Sequence, residues 1–388
     1  MQPGEIAALR DWLIEDAGFL EHFGLVVEGL CTRLIAAGLP LARATSHIRV
    51  VHSERIGVTR VWRRGQATVE QHFGFGPEVE DMYQRSTVRV AHEARQRLEL
   101  RPADPAAAAF GITPDLKAAG ITHYVIYPLF FTGGQVNAAS FATDQPGGFL
   151  PSDLALLESL LPALARVMEL KGLQRTLREL LRIYVGRLPA ERILDGQIRR
   201  GDVVAMDAAI LFCDLRRSTR LSIELEEGVY VQTLNRYFDC VVPAVTRAGG
   251  EVLKFLGDGV LAIFALPART DDCSHCSGAL VASREIFTAL RDLNERQPVP
   301  GGPLEIGIAL HEGRVAFGNV GSVERQDFTV IGQDVNLAAR ICALSAELGE
   351  PLLISERFAS RGATAFRKVG EFALKGFADA QNVFAPAS

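Results

Sequence analysis

The chain has 388 residues, enough for two domains with cores of their own. With 48% hydrophobic and 22% charged residues it has the composition of a folded globular protein, not a disordered or fibrous one. A formal net charge of −5 provides no basic face for nucleic acid, although local basic groups could still hold an anionic substrate.

The N-terminal stretch "MQPGEIAALRDWLIEDAGFLEHF" carries acids where a secretory leader would have a basic start and an unbroken apolar core. No apolar run approaches the ~18 residues of a membrane span; the longest, "YVIYPLFF", contains a proline and has the size of a strand. The expectation is a cytoplasmic protein with no membrane or nucleic-acid partner.

Up to about residue 148, helical and strand patterns mix. "FLEHFGLVVEGLCTRLIAAG" is amphipathic and closes on Gly38. "TSHIRVVH" and "TRVW" have strand character, and "HYVIYPLFF" and "VNAASFATD" pair around Thr132-Gly133-Gly134. In "GLPLARATSHIRVVH", the tryptophan-bearing strand and the late "YPLFFTGGQVNAASFAT" hairpin, residues 1–150 resemble a GAF-type sensor domain. That resemblance implies an α+β fold whose sheet either cups a small-molecule ligand or serves only as a dimerising platform. His47, His52, His72, His92 and His123 are candidate haem or metal ligands, but also ordinary strand histidines.

Pro151-Ser152-Asp153 marks the start of a long helix, with a bend expected at Pro162. Leu170, Leu173, Leu177, Leu180 and Tyr184 step by three and four. This seam fits a parallel dimer stalk over 151–187, and equally a helix packed on its own domain. Gly186, Pro189 and Gly196 interrupt it before the last region, 188–388.

There "AAILFCDL" is a strand with Asp214 at its exit, and "VYVQTLNRYFDCVVPAVTRAGG" a helix closed by two glycines. "EVLKFLGDGVLAIF" is an apolar hairpin with Asp258 at its tip and Lys254 in its first arm; Asp-Gly predicts the tight turn. A helix around "GALVASREIFTALRDLN" follows, then the strand "LEIGIAL", the glycine-spaced segment "HEGRVAFGNVGS" and the helix "DVNLAARICALSAEL". This order suggests a ferredoxin-like α+β core. "CSHC" at 273–276 has metal-like spacing, but no second Cys or His pair follows to complete a zinc site.

Taken singly, Asp258 is a turn residue and Asp214 a strand end. At the same end of adjacent strands the two carboxylates would repel unless a cation lay between them, and two divalent ions so bridged form a clamp for phosphoryl chemistry. Asn336 and Arg340 lie four apart on one helix face, a pair suited to charge building on a phosphoryl oxygen or simply to a polar surface stripe. Lys254 would be costly in the hairpin without a partner for its ammonium.

"FCDL" followed by a threonine, then "KFLGDG", "GNVGS", "FTVIGQDVNLAAR" and "LKG", in this order and spacing, resemble the class III nucleotidyl cyclases over roughly residues 188–385. The resemblance implies a ferredoxin-like class III cyclase catalytic domain preceded by the GAF-like domain and linker helix. It implies conversion of ATP to 3′,5′-cyclic AMP and pyrophosphate with two Mg²⁺ or Mn²⁺ ions per site. Asp214, Asp258 and the Leu215 carbonyl match the metal ligands; Lys254 and Thr329 match the purine-reading pair; Asn336 and Arg340 match the ribose-orienting and transition-state-stabilising pair; Thr219 and Lys375 match phosphate contacts. Sites in the family lie between two catalytic domains, so one chain holding every element implies a homodimer. Family guanylyl cyclases carry Glu and Cys where this chain has Lys254 and Thr329. Arg217 and Ser218 stand where the family has a small residue and an aromatic, so Arg217 either adds a phosphate contact or distorts the turn. The alternatives are a guanylyl cyclase, or a catalytically weak cyclase fold kept for nucleotide binding or dimerisation.

Overall fold

The computed structural model of the chain describes residues 3–266, 273–296, 298–361 and 365–387. It divides into two units, Met1–Leu180 and Leu181–Ser388. The division falls inside a 35-residue helix, Pro151–Val185.

In the first unit six strands pair antiparallel in the order Val69–Phe73, Gly57–Arg63, Arg43–Arg49, Val136–Thr143, His123–Phe130, Leu98–Leu100. Strand alternation gives one face to Ala44, Ile48, Val125, Tyr127, Leu129 and Phe141. These share a core with Leu13, Val26, Leu30 and Leu34 of the first two helices and with Leu157, Leu160 and Met168 of the long one. The opposite face carries a second core, in which Tyr124, Ile126, Ala138 and Ala142 pack with Leu100, Leu116 and Ile121, and beside it a polar group. His47 lies 2.8 Å from both the Thr45 and Thr59 hydroxyls, and Thr45 lies 2.5 Å from Ser140 Oγ. Burial pushes the His47 imidazole down to about 3, so it is neutral. The other four candidate histidines are held locally. His123 accepts from the Phe149 N–H at 3.2 Å, His72 lies 3.1 Å from Glu70, His52 accepts from the Glu54 N–H, and His92 stands 3.4 Å from the Tyr83 hydroxyl.

The long helix opens with Asp153 accepting from the Leu150 N–H at 2.8 Å and runs through Pro162 without a break. Along it Leu170, Leu173, Leu177 and Tyr184 are 46, 64, 54 and 81% exposed. No helix among the described residues is long and apolar enough to cross a membrane.

In the second unit Gly186, at φ +94°, ends the long helix and α1 (Arg187–Leu194) follows, with Pro189 inside its first turn. The buried Glu251 carboxylate accepts from the Arg187 N–H, and a Cβ on Gly186 would stand 2.8 Å from Glu251 Oε1. The elements then run β1 (Val203–Leu215), α2 (Ser218–Glu224), α3 (Glu227–Arg247), β2 (Glu251–Leu256), β3 (Gly259–Ala265), α4 (Ser274–Arg296), β4 (Ile306–Gly321), β5 (Gln326–Ile331), α5 (Gln333–Leu348), β6 (Leu352–Ser355), α6 (Glu356–Arg361), β7 (Phe366–Phe372) and β8 (Gln381–Pro386). The sheet order is β7-β8-β6-β4-β1-β3-β2, with β5 paired to β4. Within it β4-β1-β3-β2 is antiparallel throughout, the 4-1-3-2 order of a ferredoxin-like βαββαβ core.

β1 is buried on both faces, hence its unbroken apolar run. Ala209, Leu211, Cys213 and Leu215 share a core with Tyr237, Val241 and Val245 of α3 and Ala279 and Ile286 of α4. Ala208 and Ile210 face Phe317, Phe328, Val330 and Ala338 on the other side. β4 is longer than its sequence suggests, continuing through the glycine-spaced stretch to Gly321. Its glycines are places of close approach: a Cβ on Gly318 would sit 2.0 Å from the Asp202 carbonyl oxygen, and one on Gly313 2.4 Å from the Asp334 carboxylate.

Candidate active site

β1 delivers Asp214 opposite Gly307, and the β2–β3 hairpin delivers Asp258. The hairpin turn is Gly257-Asp258, one residue earlier than the Asp-Gly pair suggests; Gly257 takes the positive φ, +69°. Gly in the first loop position fits a type II′ turn. Gly259 is thereby freed from the turn and acts as a spacer, because a Cβ there would lie 3.3 Å from Asp214 Oδ1. The missing side chain leaves room for the first acid beside the second. Burial first, then the charge and hydrogen bond of Asp258, push the Asp214 carboxyl up to about 6. The two carboxyls are thus near enough for the charge of one to act on the other.

Lys254 leaves the hairpin at a register shift between Val252 and Lys254, a bulge that re-aims the side chain. Its ammonium pairs with the carboxylate of Asp327 on β5. Thr329, two residues along the same strand, is 5% exposed, and its hydroxyl has no hydrogen-bond partner among the described residues. Lys254 and Thr329 are therefore brought to one strand, with Asp327, which the sequence did not single out, as the link between them.

α5 presents Asn336 and Arg340 on its exposed side, while Leu337, Ala338 and Ile341 bury the other. Neither polar side chain has a hydrogen-bond or ion-pair partner among the described residues. The start of the helix is tied down through Asp334, which accepts from the Arg314 N–H at 2.7 Å and lies 3.2 Å from His311 Nε2. His311, 2% exposed, is in turn 2.7 Å from Ser355 Oγ. The His311 contact, then the Arg314 amide, hold the Asp334 carboxyl below its ordinary range against the opposing effect of burial.

The loop after Asp214 turns on Arg217 in the left-handed region at φ +60°, uncommon for a side chain of this kind. Its guanidinium pairs with Glu305 at 3.1 Å, so it is spent on β4's flank. Arg216 anchors the same loop: one guanidinium nitrogen donates to the Ser345 carbonyl, the Ser345 hydroxyl and the Glu350 carbonyl at 2.7–2.8 Å. Thr219 lies exposed in the first turn of α2 and Lys375 in an exposed turn beside Gly376. Neither side chain bonds to another candidate residue among the described residues. Leu215 is buried at the end of β1.

Asp327, Asp334, His311 and Arg216 are the residues that sequence reasoning passed over. Only Asp327 left a signal, two positions before a suspected base-reading threonine and on the same strand face. Among the described residues all six cysteines are free thiols, and no three His, Cys, Asp or Glu side chains converge as metal ligands.

A family profile described as "Adenylate and Guanylate cyclase catalytic domain" matches residues 204–385. An adenylate cyclase of Anabaena cylindrica is 36% identical over 152 residues, 38% of this chain and 29% of that protein. An uncharacterised protein of Mycobacterium tuberculosis is 40% identical over 148 residues, 38% of this chain and 26% of that protein. The match thus spans under a third of the length of these curated relatives. Among solved structures, the adenylyl cyclase CyaB from P. aeruginosa aligns with a TM-score of 0.44 at 28% identity, covering 48% of this chain and 96% of that one. The guanylyl cyclase Cya2 aligns with a TM-score of 0.41 at 30% identity, covering 47% and 92%. By the family match and the identity to these relatives, residues 204–385 are an adenylate and guanylate cyclase catalytic domain.

Proposed function

We propose that the chain is an adenylyl cyclase, converting ATP to 3′,5′-cyclic AMP and pyrophosphate at sites shared between two copies of itself. The observation that carries this reading is the crowded Asp214–Asp258 pair, whose mutual repulsion a cation would relieve. The donor set of two carboxylates and the Leu215 carbonyl is all oxygen, which fits Mg²⁺ or Mn²⁺. Two such ions, when bound, acidify the ribose 3′-hydroxyl and neutralise the triphosphate.

The chain's own groups do the rest. Lys254 donates to the ring nitrogen of adenine, and the unpartnered Thr329 hydroxyl accepts from its amino group. Asn336 orients the ribose, and Arg340 donates to the phosphoryl oxygen on which charge builds. Thr219, the amides of the loop it closes and Lys375 hold the phosphates. The unengaged Asn336 and Arg340 support a site completed by a second copy. The exposed leucines of the stalk support the same dimer. In this reading residues 1–150 form a GAF-like regulatory domain acting through the stalk at 151–187 on the catalytic domain at 188–388. That the Anabaena cylindrica relative is an adenylate cyclase supports adenine over guanine.

The test is product formation by the purified chain from ATP and from GTP, with Mn²⁺ and with Mg²⁺, beside Asp214→Ala. Cyclic AMP from ATP alone, abolished by the substitution, is the expected result. Equal production of cyclic GMP would make it a mixed or guanylyl cyclase, and no product under any condition would leave a nucleotide-binding module.

A further inference from the structure

We infer that Asp327 is a specificity-determining residue of the nucleotide-base pocket, selecting a 6-amino purine and rejecting a 6-oxo purine. The inference rests on the cyclase reading for its substrate, and it adds a third member to the base-reading pair.

Asp327 and Thr329 are two apart on β5, so their side chains leave the same face of the strand, while Phe328 and Val330 between and beside them are buried in the core. Lys254 reaches this face from the β2 bulge and takes Oδ2 of Asp327. Oδ1 of the same carboxylate has no partner among the described residues, and neither does the buried Thr329 hydroxyl. The face therefore offers one ammonium donor flanked by two unused acceptors.

A base whose ring nitrogen meets Lys254 places its 6-substituent toward those acceptors. Adenine carries an amino group there, with two N–H donors to share between Thr329 and Asp327. Guanine carries a carbonyl oxygen there and a protonated ring nitrogen beside it. Its O6 would face a carboxylate, acceptor against acceptor, and its N–H would face an ammonium, donor against donor. Discrimination then comes from a repulsive element as much as from an attractive one.

Asp327 is exposed at the β5 edge, with Lys254 as its ion-pair partner, so its replacement leaves the core untouched. Asp327→Asn keeps an oxygen for Lys254 and turns the second acceptor into an amide donor that suits O6. Asp327→Ala removes both. Two readouts are compared across wild type, Asp327→Asn and Asp327→Ala: kcat/KM for ATP and GTP, and direct binding of 3′-deoxy-ATP and 3′-deoxy-GTP, which lack the attacking hydroxyl. For Asp327→Asn the guanine-to-adenine ratio should rise at least ~10-fold in both readouts, and more than for Asp327→Ala. A ratio within about twofold of wild type in the binding arm, or a shift toward adenine, overturns the inference. Because the deoxy analogues need no turnover, a chain that binds them yet forms no product would defeat the cyclase reading while still deciding the role of Asp327.

Discussion

Replacing Gly313 by alanine should cripple turnover from a position that touches no substrate. The added Cβ would stand 2.4 Å from the Asp334 carboxylate and 2.5 Å from its Cβ, where ordinary contact begins near 3.4 Å. Relief therefore needs a shift of about 1 Å, and the obstacle lies in the first turn of α5, two residues before Asn336. Moving the helix start breaks the Arg314–Asp334 bond and carries Asn336 and Arg340 with it. A misplacement of ~1 Å typically costs ~10² in rate, about 2.7 kcal/mol of barrier. Initial rates of cyclic AMP formation measure it, with a thermal melt beside them. The clash can be removed from the other side: once Asp334→Gly has been made, adding Gly313→Ala should cost little more, so the pair is strongly non-additive. A Gly313→Ala enzyme with kcat within about threefold of wild type, or a double variant whose losses simply add, would refute the reasoning.

Arg340→Ala should lower kcat by ~10²–10³ without moving the melting temperature, because its side chain bonds to nothing within the described chain. Mixed with inactive Asp214→Ala, it should recover about a quarter of wild-type activity if each site draws on two copies, and none if sites are complete within one. The Asp214 carboxyl, raised to about 6 in the fold against 3.8 for the free group, is protonated more readily folded than unfolded. Its contribution to stability is therefore lost as pH rises through that window, so in chelator the melting temperature of the wild type relative to Asp214→Asn, a comparison in which the opposing effect of the buried neutral His47 cancels, should fall from pH 5 to pH 7.5, and the stabilisation by Mn²⁺ should be larger at the upper end. Leu173→Glu, at a 64% exposed position, should leave the melt unchanged yet weaken self-association in sedimentation equilibrium.

Candidate site residues are conspicuous in a sequence when they violate their surroundings. Asp258 and Lys254 stood out because an apolar hairpin has no use for charge, and β1 was legible because a strand buried on both faces must be apolar at every step. What could not be read is what depends on register. The β2 bulge adds one residue, and with it the direction of Lys254 and its pairing to Asp327. The turn on Gly257-Asp258 moved the role of Gly259 from turn residue to spacer for Asp214. Arg217 in a left-handed conformation follows from the loop's anchoring by Arg216 to α5 and the segment after it, distant contacts with no local signature. The glycines of β4 resembled a loop for the same reason: their partners, Asp202 and Asp334, are far away along the chain.

The bond between Glu251 and the Arg187 amide decides where this catalytic domain can be cut. Glu251 is the first residue of the strand that carries Lys254, it is 6% exposed, and burial raises its carboxyl against the partly offsetting amides of Leu188 and Arg187. A fragment beginning at Ala190 would discard both amides and leave the buried group unsatisfied, a loss of ~1–3 kcal/mol or more at the root of the catalytic hairpin. It would also strip Leu188 from the core that includes Leu253 and Phe317. Grafting a light-, ligand- or peptide-responsive module onto this catalytic domain therefore calls for a splice upstream of Gly186, with α1 kept as part of the cargo.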